Sequence, residues 1–348
     1  MRFLPSFASA STLAFLLDLP AGGYAQANVI GSADFSTWFN ITDFPNAQAS
    51  NVSKYMSEAE ATSQPDLFQH FLIRCVDAQK YPAILDGLHP NGFIAPARPF
   101  QSLFFVGQSH VSSWAVDTGD GLVIIDTLDN PDEVQKVLIP GLETFGYTGH
   151  DIKAVLITHE HSDHYGGAGY LQSTFGMSVY ASETAWTTMA LTKGTPKKDK
   201  VFRDGEQLKI GNTTFHTIAT PGHTPGCYSL LFDVYEHSDR HTVGFFGGGG
   251  IPSSAEAKSQ QVQSFSKFSI VAQRLGAGVL LSNHQDQDQS VQNFEIINAH
   301  QRGGMYGSHR DKFVNPFVVG VDAYSRYLKV MQTCVRVQAA RMNQFLTV

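Results

Sequence analysis

The segment Thr158-His159-Glu160-His161-Ser162-Asp163-His164 places four potential metal ligands within six residues. Three imidazoles and one carboxylate form a donor set that zinc takes at about 2.0–2.2 Å. The run before it, Ile152-Lys153-Ala154-Val155-Leu156-Ile157, reads as a strand buried on both faces. A buried strand end holds its backbone rigid, and the turn after it aims several side chains inward. One ion cannot easily collect all four donors from so short a loop. The spacing therefore favours two ions sharing the loop, about 3.5–4 Å apart as in other two-metal sites.

Two further histidines occupy similar settings. His223 lies in Thr220-Pro221-Gly222-His223-Thr224-Pro225-Gly226, a sharp turn directly after a strand. His284 follows Leu280-Leu281-Ser282-Asn283, again at a strand end, with Asp286 in the polar stretch behind it as the alternative ligand. All three loops then belong at one edge of the fold.

The elements that must hold these loops follow from the hydrophobic pattern. Strands are expected at 103–106, 113–118, 122–126, 152–157, 178–180, 213–219, 228–234, 242–246 and 278–281. Helices are expected at 130–145, 165–175, 182–191, 254–275 and 322–344. The strands fall into two successive groups broken by helices, which implies two mixed sheets stacked with helices outside, an α/β layer architecture. Residues 57–79 have helical character, with Leu67, Phe71 and Leu72 on one face and Pro65 suited to a first turn. The chain thus divides into a segment at 1–25, an N-terminal extension at 26–98 that packs on the body, and a catalytic domain at 99–348.

With 42% apolar and only 16% charged residues, the composition is that of a globular chain with a sizeable core. A net charge of -7 argues against nucleic acid as a partner. The basic cluster Lys197-Lys198-Asp199-Lys200 is short, carries an acid, and reads as a solvated loop. Residues 1–25 resemble a secretory signal: Arg2, an apolar stretch at 13–19 interrupted by Asp18, and Gly23-Tyr24-Ala25 before the cleavage point. That stretch is shorter than the about 20 apolar residues of a membrane span. Sequons at Asn40, Asn51 and Asn212 are compatible with export. Secretion makes one disulfide and one free thiol the expected arithmetic for Cys75, Cys227 and Cys334. Cys75–Cys334 is the preferred pair because Cys227 adjoins the metal loop; three buried thiols are the alternative.

His-x-His-x-Asp-His followed by Thr-Pro-Gly-His-Thr-Pro-Gly resembles the metallo-β-lactamase superfamily. The resemblance covers roughly residues 99–345 and implies a four-layer αββα sandwich. It also implies that His159, His161 and His223 bind one zinc and that Asp163, His164 and His284 bind the other. Asp126, at the end of the earlier buried strand, looks like the family's structural aspartate, and Thr158 would lie with it behind the ligands. Many members carry a bridging Asp, or a Cys ligand, after the strand near 245. This chain reads Phe245-Phe246-Gly247-Gly248-Gly249-Gly250 there. The remaining set is similar to the third lactamase subclass, as is the segment Pro316–Ala323 followed by a Cys in the last helix.

The resemblance implies a di-zinc hydrolase acting on a small molecule. Two zinc ions would lower the pKa of a shared water toward about 7, giving hydroxide that attacks a carbonyl. Asp163 would orient that hydroxide as well as ligate. A cyclic amide is the expected substrate. Lactone, ester or thioester hydrolysis, iron-dependent redox chemistry and metal sequestration without catalysis are the alternatives. His110, Ser253 and Ser254 are candidate substrate contacts, and Trp186 with the loop 192–200 is a candidate cover for the cleft. Glu160 should point away from the metals, His216 and His300 read as structural or exposed, and the glycine run reads as a tight turn.

Overall fold

The computed structural model describes residues 42–83, 94–301 and 313–348. The expected signal segment and the sequon at Asn40 lie outside them. Among the described residues, twelve strands form two sheets. The first runs β1 (Ala97–Phe100), β2 (Leu103–Phe105), β3 (Trp114–Asp117), β4 (Leu122–Ile125), β5 (Ile152–Leu156), β6 (Ser178–Ala181), β7 (Lys200–Val201) in spatial order. Its first three pairings are antiparallel, and β4, β5, β6 and β7 run parallel. The second sheet runs β12 (Ala277–Leu281), β11 (Asp239–Phe245), β10 (Tyr228–Glu236), β9 (Thr213–Ala219), β8 (Glu206–Ile210), with only β12 and β11 parallel.

Side-chain alternation along the apolar strands creates three core layers. Val123, Ile125, Ala154 and Leu156 face Phe215, Leu230, Phe232, Val243 and Leu281 between the sheets. The intervening Leu122, Ile124, Val155 and Ile157 face outward, under Val134, Leu138, Leu142, Leu171 and Trp186 of the helices. On the other side Ile218, Leu231 and Leu280 meet Phe265 and Phe268 of helix Ala255–Leu275 and Tyr324, Leu328 and Val335 of helix Val321–Arg341. This is the expected αββα sandwich. Ala59, Leu67, Phe71 and Cys75 of the N-terminal region join that outer layer. Cys75 is disulfide-bonded to Cys334 of the last helix, which leaves Cys227 as a buried free thiol.

Several boundaries differ from the sequence expectation. The helical stretch at 57–79 is two pieces: Ala49–Ser63, then 68–80 after a turn in which Gln64 takes φ +52°. Pro65 sits in that turn rather than in a first helical turn. The helix expected from 165 begins at Ala168, after the separate turn Ser162–Tyr165. Gly166, between the two, lies close against a neighbouring loop: a Cβ there would lie 1.8 Å from Asp129 O. β1, β7 and β8 were not foreseen, because β1 contains Pro99, β7 has two residues, and β8 buries its alternate positions only partly. Lys200 accordingly belongs to a strand rather than to the solvated loop.

Candidate metal centre

Every strand that feeds the site ends at the same edge of the sandwich. Asp126 follows β4, the 158–164 loop follows β5, Thr220–Gly226 joins β9 to β10, Gly247–Gly250 follows β11, and Ser282–His284 follows β12. The structure brings the six residues singled out by spacing into two groups, His159–His161–His223 and Asp163–His164–His284. Within each, one donor atom per residue lies within 4.8 Å of the others. Asp286 is in neither group. The imidazoles of His159 and His164 are 4.0 Å apart between centroids, so the two groups adjoin.

Hydrogen bonds orient the rings from behind. Thr158 donates its N–H to Asp126 Oδ1 and its hydroxyl to Asp126 Oδ2, both at 2.8 Å. His164 Nδ1 donates to the same Oδ2 at 2.8 Å. His159 Nδ1 lies 3.1 Å from Thr158 Oγ1, His223 Nδ1 is 2.9 Å from Gly250 O, and His284 Nδ1 is 3.1 Å from His110 O. With Nδ1 of these four rings spoken for, each turns its Nε2 toward the centre. Occupation of one ring nitrogen sets the ligand atom in this way. Asp126 carries its role with φ +60°, a left-handed backbone rare outside glycine.

The donor set fits zinc. His159 Nε2 is buried with no hydrogen-bond partner among the described residues. His223 Nε2 faces His161 Nδ1 at 3.1 Å. In the second group, Asp163 Oδ2 lies 3.1 Å from His164 Nε2 and 3.7 Å from His284 Nε2. Donors around a tetrahedral zinc at about 2.0–2.1 Å stand about 3.3 Å from one another. Both groups therefore have ligand spacing suited to such an ion.

Electrostatics separates the groups. Burial, then the neighbouring histidines, pushes His223 down to about 3 and His159 far below the usual histidine range. Burial also lowers His161 and His284. His164 moves the opposite way: burial opposes its charge, but the Asp126 and Asp163 carboxylates push it up to about 9. Burial likewise opposes the charge of Asp163, yet His164 and His284 hold its carboxyl well below the usual range.

Several supports were invisible in the linear pattern. Glu160 does point away from the metals, and it clasps the neighbouring loop: it accepts from Thr224 Oγ1 at 2.8 Å and from Gly226 N at 3.0 Å. Asn283 donates to Thr158 Oγ1 at 3.2 Å and Gly247 O at 2.9 Å. Gln108 accepts from His110 N at 2.6 Å and donates to Asp129 at 3.2 Å, and so braces the carbonyl that orients His284. Asn283 adjoins a candidate ligand and could have been suspected; nothing in the sequence marks Gln108. The four glycines form a turn without room for side chains. A Cβ on Gly250 would fall 2.5 Å from His223 Cε1, and one on Gly249 would fall 1.7 Å from Gln287 Oε1.

His110 contributes its carbonyl, with its ring 6.0 Å from that of His284. Ser254 caps helix Ala255–Leu275, and Ser253 O accepts from Lys258 and Gln344. Trp186 is core, donating to Lys200 O at 2.7 Å, so it does not cover the cleft. His216 is half-buried in β9, and His300 stacks on Phe313.

Comparison with known proteins agrees with this geometry. Residues 106–235 match the Metallo-beta-lactamase superfamily. A Bdellovibrio bacteriovorus hydroxyacylglutathione hydrolase is 33% identical over 112 residues, 32% of this chain and 36% of that protein. The chain thus spans about a third of the length of the curated relatives it matches first. The solved Rm3 metallo-beta-lactamase is 26% identical, with a TM-score of 0.60 over 73% of this chain and 97% of its own. BJP-1, a subclass B3 metallo-beta-lactamase of Bradyrhizobium japonicum, shares the fold at 23% identity, with a TM-score of 0.54 over 69% of this chain and 91% of its own. A superfamily match spanning the 158–164 and 220–226 loops, and a fold shared with these structures over 69–73% of the chain, lead to one conclusion: residues 106–235 form a domain of the Metallo-beta-lactamase superfamily, in a fold that solved metallo-beta-lactamases, a subclass B3 one among them, also adopt.

Proposed function

We propose that the chain is a di-zinc hydrolase that opens a cyclic amide, either a β-lactam or another lactam. The observation that carries this reading is the second ligand group. Asp163, His164 and His284 stand together, and the crowded glycine turn offers no bridging carboxylate or thiolate. Similarity to the Rm3 structure over most of the chain supports the same choice.

Bound zinc supplies Lewis acidity for a carbonyl group and acidifies a water toward a pKa of about 7. The chain's own residues position and select. Asp163 stays ionised at neutral pH and acts as the hydrogen-bond acceptor that orients an attacking water. Asp126 keeps His164 and Thr158 in place, and Glu160 ties the 158–164 loop to the turn carrying His223. The substrate is a small molecule, since a net charge of -7 disfavours a polyanion. Export through an oxidising compartment belongs to the same reading and is supported by the Cys75–Cys334 disulfide.

Thioester, lactone or ester hydrolysis is the second reading, favoured by the similarity to hydroxyacylglutathione hydrolases. Steady-state turnover on matched panels of lactams, lactones and thioesters, with and without chelator, separates the two. Lactam turnover abolished by chelator and restored by zinc is expected. Turnover confined to thioesters would replace the lactam assignment, and lactam turnover indifferent to chelator would remove zinc from it.

A further inference from the structure

We propose that Arg74, in the region N-terminal to the sandwich, is a positioning residue for the metal ligand His223. The stretch Leu72–Asp77 winds as a π turn, a form that recurs at functional sites. Arg74 sits in this turn, 7% exposed, beside the disulfide-bonded Cys75. Its backbone is fixed to the last helix. Gln79 Nε2 donates to Arg74 O at 3.1 Å and to Cys334 O at 2.9 Å, and Arg341 donates to Cys75 O at 2.5 Å and to Gln79 Oε1 at 2.7 Å.

From this anchor the guanidinium crosses to the glycine turn and donates to Gly249 O. The next carbonyl, Gly250 O, accepts from His223 Nδ1 at 2.9 Å. Gln261 seconds the arrangement by donating to Gly248 O at 3.0 Å and Gly250 O at 2.8 Å. Only glycine fits at these two positions, because a Cβ on Gly249 would meet Gln287 and one on Gly250 would meet His223. A pull on one carbonyl therefore fixes its neighbour, and that neighbour fixes which nitrogen of His223 carries the proton.

A merely structural arginine would be expected to pair with a carboxylate. Among the described residues no acid lies within ion-pair distance of Arg74, and its Nε has no hydrogen-bond partner. Burying an uncompensated charge is costly, and hydrogen bonds are the compensation left to it. Burial pushes Arg74 down only to about 10, so it remains a cation at neutral pH.

The proposal rests on reading His159, His161 and His223 as a metal site, and the test keeps the two apart. Full-length wild type, R74K and R74M are loaded with zinc, and each site's affinity is measured by chelator competition. Cobalt absorption spectra and the thermal midpoint of each metal-free protein are recorded alongside. In R74M the His159–His161–His223 site should weaken by about 10–100-fold, the scale of an outer ligand partner. The Asp163–His164–His284 site should stay within about twofold, and R74K should fall between. Wild type without zinc at the first site would remove the metal reading itself. A wild-type first site left unchanged in R74M, or both sites weakened in parallel with the thermal midpoint, would overturn the role of Arg74 alone. Should R74M fail to fold, R74K carries the test: a selective loss at the first site supports the role, and no loss overturns it.

Discussion

The two ligand groups sit side by side but are built on different electrostatics. His159, His161 and His223 are neutral donors, and the partners behind two of them are a hydroxyl and a main-chain carbonyl. Asp163, His164 and His284 include a carboxylate, and the buried Asp126 stands behind His164. The first group is depressed by burial and like-charge crowding, so it is ready for a cation without giving up protons. The second concentrates negative charge and keeps a proton on His164 when nothing else is bound. The difference teaches that side chains of one loop can sit in unlike electrostatic environments, because they share a backbone but not their neighbours.

Removing a ligand should break the comparison most severely. His284→Ala is expected to lower zinc stoichiometry from two to one by elemental analysis, and His223→Ala to abolish binding at the first group. Each should cost activity by more than the about 10–100-fold typical of an outer-partner change. Two zincs retained in His284→Ala would show that Asp286 or another donor completes the second group.

Asp126→Asn comes next. One amide nitrogen would have to face either Thr158 N or His164 Nδ1, and both are donors. Affinity at the second group should fall about 10–100-fold, with a smaller loss at the first transmitted through Thr158. Equal losses in calorimetric titrations would contradict the separate support inferred for the two groups.

The pH dependence sharpens the contrast. His164 stands at about 9 in the metal-free protein, above the ordinary 6.5, so below pH 9 zinc must displace its proton. Affinity at the second group should therefore rise by about tenfold per pH unit from pH 7 and level off above 9. His223 stands at about 3, so it contributes no such slope over that range at the first group. Parallel slopes in competition titrations would refute the assignment. The smallest effect is expected from Gln108→Ala, which loosens the His110 carbonyl without touching a ligand. Affinity at the second group should fall by less than about tenfold, with the first unchanged, in the same titrations.

Much of this centre was legible in the linear chain. Asp163 and four histidines lie in a six-residue loop and a Pro-Gly-His turn, the first preceded by a largely buried strand and the second by a partly buried one. The strand ends could be placed because β4 and β12 are continuous apolar segments and β5 is one apart from Lys153. β8 was illegible because its alternate positions are only half-buried, and the capping role of Ser254 was not read from the sequence.

The sequence by itself determined the donor types, their order and the two-sheet layering, since all three follow from local spacing and hydrophobic period. Only the tertiary structure decided which nitrogen each ring presents, and how Asp126, Asn283, Glu160, Gln108 and Arg74 brace the ligands. Those residues act across separations of up to 175 positions through single hydrogen bonds. A hydrogen bond between distant residues leaves no periodic trace in a chain, whereas a strand or a ligand loop does.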